Sequence, residues 1–133
     1  MGACYSSSAK VNWLSLVKLL EGAYTGSTRR RRNQDLTIWR QLCLRIDDIN
    51  PQTKQATLSG FGVSEHRGIS YVFEIVVTIN GVSAEVRKRH LLSFDRGLSQ
   101  WLQYRGDIQL RNNNELCLRL NNDFVKGQLV KVT

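Results

Sequence analysis

The sequence predicts an α+β fold that is mainly β: an antiparallel sheet or sandwich of six to seven strands, with an N-terminal helix and one short later helix. Three observations carry this expectation. Apolar residues recur at every second position through much of residues 35–133, the dipeptide Asn80-Gly81 sits between two such runs, and a helical period dominates only near the N-terminus. With 133 residues, 41% hydrophobic and 23% charged, the chain suits a single core. It divides into an N-terminal attachment region, residues 1–34, and one β-rich domain, residues 35–133.

Residues 1–9 are small and polar, and residues 10–22 read as a helix. Val11, Leu14, Val17 and Leu20 recur at helical spacing, Trp13, Leu16 and Leu19 widen the apolar face, and Gly22 suits a C-cap. So broad a face must be covered, and packing on the protein's own domain is the expectation. Residues 23–34, polar and glycine-containing with four consecutive arginines, read as a hinge loop.

The first strand begins at Leu36, with Leu36, Ile38, Leu42, Leu44 and Ile46 as one apolar set that Arg40 interrupts. A turn at Asn50-Pro51 leads into a second strand over residues 55–63, and Ile69, Tyr71, Phe73, Ile75, Val77 and Ile79 give a third. Asn80-Gly81 as the two loop residues would place Glu74 opposite Arg87, a cross-strand ion pair worth ~0.2–1 kcal/mol. Residues 82–90 form the fourth strand, and residues 93–104 the short helix, with Leu98, Trp101 and Leu102 inward. Ile108 and Leu110 pair with Leu116, Leu118 and Leu120 across an asparagine turn, and Leu129, Val130 and Val132 make a last strand.

The formal net charge is +8, and six basic residues against one acidic in residues 1–34 supply five of those charges. Such an excess attracts phosphate-bearing polyanions, either nucleic acid or anionic lipid. Three scattered cysteines, Cys4, Cys43 and Cys117, make neither a disulfide framework nor a zinc site and suit a reducing compartment. Cys43 and Cys117 lie in apolar strand patterns and read as small buried hydrophobes. No apolar run approaches the ~20 residues of a spanning helix, and the first residues lack the apolar stretch of a secretory signal.

The opening Met1-Gly2-Ala3-Cys4-Tyr5-Ser6 matches the N-myristoylation pattern M-G-x-x-x-[ST]. Removal of Met1 would free the unhindered amine of Gly2, and Cys4 is placed for palmitoylation. One myristoyl chain binds membrane only marginally, with K of roughly 10⁴ M⁻¹, so a second signal is needed. Arg29, Arg30, Arg31 and Arg32 would supply one, at up to ~1 kcal/mol each near an anionic surface. A solvated loop, an RNA contact and a nuclear localisation signal are the other readings of this run. In the second cluster, Arg87 and Arg89 share one strand face, Lys88 and His90 the other. Arg87, Lys88 and Arg89 are candidates for membrane or phosphate binding beside solvated charge.

Phosphate loops, dinucleotide fingerprints and nucleophile elbows are missing from the sequence. His66 and His90 lack a carboxylate, thiol or hydroxyl partner at an instructive spacing, and Asp47-Asp48 point to opposite sides of a strand. The expectation is a protein that is not an enzyme and uses no cofactor or metal. Tyr71 and Phe73 read as core, so an RNA-recognition fold is not expected.

Gly2, Cys4, Ser6 and the arginines at 29–32, followed by a compact β-rich body, resemble small viral matrix proteins, closer to those of negative-strand RNA viruses than to helical retroviral matrix domains. The resemblance implies attachment to the cytoplasmic face of a membrane such as the plasma membrane, presence in the virion, homo-oligomerisation, and contact with RNA or nucleoprotein. The chain departs from that pattern in having neither a PTAP nor a PPxY motif, since its only proline is Pro51. A cytosolic RNA-binding or silencing-suppressor module is the alternative, and an acylated adaptor that recruits a partner through exposed sheet edges is the third reading.

Overall fold

The computed structural model describes residues 12–91, 100–111 and 115–132. One short helix, α1 (Trp13–Leu19), precedes eight strands: β1 (Gly22–Arg30), β2 (Leu36–Asn50), β3 (Gln55–His66), β4 (Ile69–Asn80), β5 (Ser83–His90), β6 (Leu102–Leu110), β7 (Leu116–Asn121) and β8 (Val125–Val132). Every strand pairs antiparallel with its neighbour in sequence, and β1 pairs with β8, which closes a barrel. This corrects the expected α+β sheet or sandwich of six to seven strands. Closure also removes the free sheet edges on which an edge-docking partner would depend.

Three local features account for the difference. Gly22, expected to cap the helix, and residues 23–30, read as loop for their glycines and polar side chains, form β1, where Tyr24 and Thr28 point inward. In β2 the chain bulges at Arg40-Gln41, with Gln41 at φ 55°, and the register to β3 shifts there. The bulge inverts the alternation, so Trp39 joins Leu42 and Leu44 in the core. The expected second helix is not found over Leu102–Tyr104, which belong to β6, and residues 93–99 lie outside the described residues.

The β4–β5 hairpin differs by one residue from expectation. Gly81 takes φ 66° as the first of the two loop residues, Val82 is the second, and Asn80 pairs with Ser83. Glycine at the first central position suits a type II′ turn. The shift brings Glu74 opposite Arg89 rather than Arg87, and those two form the ion pair.

Inward side chains fill one end of the barrel, which α1 closes. Val17 and Leu20 are buried in the common core, and Trp13 and Leu16 pack against it. Trp13 Nε1 donates to the Gly81 carbonyl at 2.7 Å, the Tyr24 hydroxyl to the Leu20 carbonyl at 2.7 Å, and Lys131 Nζ to the Leu19 carbonyl at 2.6 Å. Asn12 caps the helix by accepting from the Leu14 amide. The core holds apolar side chains while the outer faces of β1 and β5–β8 carry many charges, the inverse of a barrel that spans a membrane.

Candidate functional site

Among the described residues, the opposite end of the barrel forms a mouth. It is built from the β1–β2, β3–β4 and β7–β8 turns and the ends of the strands they join. Arg67 and Gly68, at φ 52° and 76°, make the tight β3–β4 turn. Asp35, at the start of β2, holds this turn in place: His66 Nε2 donates to Asp35 Oδ2 at 2.6 Å, and Arg67 Nη2 lies 3.4 Å away. The hydrogen bond from His66 is the largest influence on Asp35 and lowers its pKa; desolvation opposes it, and the charges of Arg67 and His66 bring the balance below the ordinary value. The sequence reading left His66 without a partner. Its partner lies 31 positions away and becomes visible only when the turns meet.

Inside the mouth is a cavity of about 350 Å³. Its polar wall includes Thr28, Ser64, Lys88, His90 and Tyr104, and its apolar wall Tyr71, Leu102, Phe124 and Val125. Strand alternation places Lys88 inside, directly after Val86 in the inward series of β5. Lys88 is only 2% exposed, and its Nζ stands 4.2 Å from the Trp39 ring centroid and 4.7 Å from that of Phe73. Burial pushes its pKa down to about 7. His90 stacks on Tyr71 at 4.6 Å and sits 3.5 Å from Ser64 Oγ; burial, then the Lys88 charge, lowers its pKa. Thr28 Oγ1 accepts from Trp39 Nε1 at 3.2 Å.

The basic residues that the sequence grouped are thus separated. Lys88 is interior, whereas Arg87 and Arg89 lie outside, 5.3 and 4.4 Å from the Trp101 ring centroid. The run at 29–32 spans the end of β1 and the following turn. Arg29 faces outward, Arg30 lines the mouth, and Arg31 donates to the Asn122 carbonyl and the Asn121 side chain. Gly2 and Cys4 lie outside the described residues.

The structure also assembles what the sequence kept apart. Arg105 pairs with Asn121, Asn121 with Lys126, and Lys126 with Arg29, so four outward residues form one row across β6, β7, β8 and β1. Arg119 sits in the adjacent row, opposite Asp107, to which its Nε donates at 3.1 Å. With Arg31 these residues line an outer groove of about 670 Å³ holding five cationic side chains and one carboxylate. Above it, Phe124 stands 74% exposed on the β7–β8 turn, where its carbonyl accepts from the Arg31 amide at 2.8 Å. Ile69 and Leu102 are further exposed apolar side chains at the mouth.

Cys43 is exposed, contrary to expectation, because its position is outward-facing; Cys117 is buried under Gln128. Among the described residues no group of three or more His, Cys, Asp or Glu is placed to hold a metal ion. The class defined by this geometry is a closed eight-stranded barrel with a helix-capped end and a basic, partly apolar mouth. Comparison with protein-family models, curated proteins and solved structures finds no match.

Proposed function

We propose that this is a peripheral membrane protein, a binding and structural protein rather than an enzyme, held to an anionic membrane face by acylation of Gly2 and by the basic side of its barrel. The observation that carries the reading is the union of Arg29 and Arg31 with Arg105, Arg119 and Lys126 on one outer face, beside the exposed Phe124. Cations beside an exposed aromatic suit a headgroup layer over an apolar interior.

The two attachment signals have the reach to act together. The nine residues of β1 span about 30 Å at ~3.3 Å per residue. The eleven residues before Asn12 can reach at most ~36–40 Å. An acyl group entering from the helix end therefore reaches a surface that the mouth touches. Self-association into a matrix-type layer belongs to the same proposal. In a closed barrel it would proceed through strand faces, not through edges.

The test is co-flotation of the acylated protein with phosphatidylserine vesicles. Gly2→Ala should abolish stable binding. Replacing Arg105, Arg119 and Lys126 together by glutamine should weaken it about 10–100-fold, at up to ~1 kcal/mol per cation. Undiminished binding in both variants would overturn the proposal. Tight, salt-sensitive binding to RNA with no vesicle binding would turn the basic face over to nucleic acid.

A further inference from the structure

We infer that the mouth of the barrel is a binding site for a small carboxylic acid with an apolar body, with Lys88 as the counter-charge for the carboxylate. The inference does not require the membrane reading, because its charge and cavity belong to the barrel interior, although Phe124 at the rim serves both. A buried ammonium needs compensation, since desolvation disfavours the charge. Among the described residues no carboxylate lies within ion-pair distance of Lys88, and its Nζ faces the rings of Trp39 and Phe73. The one carboxylate on the cavity wall, Asp35, is engaged by His66 and Arg67 at the rim.

The cavity matches this ligand in size, charge and polarity. Its volume of about 350 Å³ falls at the small end of ligand pockets, ~300–1,000 Å³. Lys88 is the one buried ammonium on the cavity wall, with Arg30 exposed at its rim, so the interior offers a single charge to a carboxylate. The Thr28 hydroxyl accepts from Trp39, which leaves its own proton to donate, and the hydroxyls of Ser64 and Tyr104 stand on the same wall. Tyr71, Leu102 and Phe124 line the way out and would cover an alkyl or aryl body. Bringing a carboxylate to Lys88 would favour the protonated amine, so burial that disfavours the empty site strengthens the filled one.

The experiment is calorimetric titration of the full chain with hexanoate and benzoate, beside methyl hexanoate and inorganic phosphate, for wild type and Lys88→Met. Both acids should bind the wild type, the methyl ester and phosphate should bind at least tenfold more weakly, and Lys88→Met should weaken acid binding at least tenfold. Unliganded Lys88→Met should melt no lower than wild type, since it replaces a buried amine with an apolar chain of similar shape that can keep the packing on Trp39 and Phe73. If Lys88→Met fails to fold, the comparison of hexanoate with its methyl ester decides the matter. Acid and ester binding alike, phosphate binding in preference to the acids, no binding of either acid at millimolar concentration, or full acid binding by a folded Lys88→Met would each overturn the inference.

Discussion

The two ends of the barrel are made of the same strands and have opposite character. At the helix end the inward positions are apolar and α1 covers them. Its termini are tied down by Trp13, Lys131 and the Asn12 cap. At the mouth the inward positions become Thr28, Ser64, Lys88 and His90, and the turns carry arginines and an exposed phenylalanine. The contrast separates two roles for burial. One end concentrates the packing that stabilises the fold, and the other places polar and charged groups, Lys88 above all, where burial disfavours charge.

The largest expected effect comes from that cost and appears as a pH dependence of stability. Lys88 titrates near 10.5 in the unfolded chain and near 7 in the fold. Between those values the unfolded state binds the extra proton, so stability rises with pH across the window, by an amount on the order of 4 kcal/mol. Burial raises the Tyr104 pKa to about 12 and that of Tyr24 further. Above pH 10 the unfolded chain loses phenolic protons first, and stability falls again. Below pH 6.5 the lowered pKa of His90 means that the unfolded chain takes up its proton more readily, which also costs stability. Urea denaturation from pH 5 to 11 should therefore give a maximum near pH 10. Lys88→Met should flatten the rise between pH 7 and 10. A flat wild-type profile in that range would mean that Lys88 is solvated.

Next in size are changes at the packed end. Leu20→Ala removes a fully buried side chain where α1 meets the core and should cost about 3 kcal/mol in denaturant unfolding. It should leave vesicle binding intact at temperatures where the variant is folded. Gly127→Ala should cost about 2 kcal/mol, because its added methyl would run into the Ser27 carbonyl and the Thr28 backbone of β1. A smaller loss there would show that β1 and β8 can move apart without opening the barrel.

The sequence carried the elements more fully than their closure. Period-two runs placed β2 to β5 and β7, and the alternation set Lys88 and His90 on the side opposite Arg87 and Arg89. What hid β1 was composition: Thr25, Gly26, Ser27 and Thr28 are a loop's residues, yet close approach to β8 requires Gly26 and Gly127. The β1–β8 pairing joins the two ends of the chain, which no local pattern encodes. The bulge at Gln41 inverted the phase around Trp39 and so concealed the largest core side chain. For the site, the arginine run was legible, whereas Arg105, Arg119 and Lys126 joined it only through register. Lys88 was read at the surface because its charge outweighed its strand phase.

The smallest effect on stability tests the contrast between the ends most directly. Phe124→Ser should change unfolding free energy by less than about 0.5 kcal/mol, because the side chain is 74% exposed. The turn is held by main-chain groups that serine retains: the Phe124 carbonyl accepts from Arg31, and its amide donates to Asn122 Oδ1 at 2.8 Å. Entry of the ring into a bilayer interface would contribute about 1–2 kcal/mol, so the substitution should weaken vesicle binding roughly 5–30-fold. Phe61 supplies the control, being 56% exposed on the outer face of β3, away from the mouth. Phe61→Ser should leave vesicle binding within about twofold of wild type, a difference of under ~0.5 kcal/mol. Equal losses from the two substitutions would mean that exposed apolar surface anywhere on the barrel adheres to lipid, and the mouth would lose its special role.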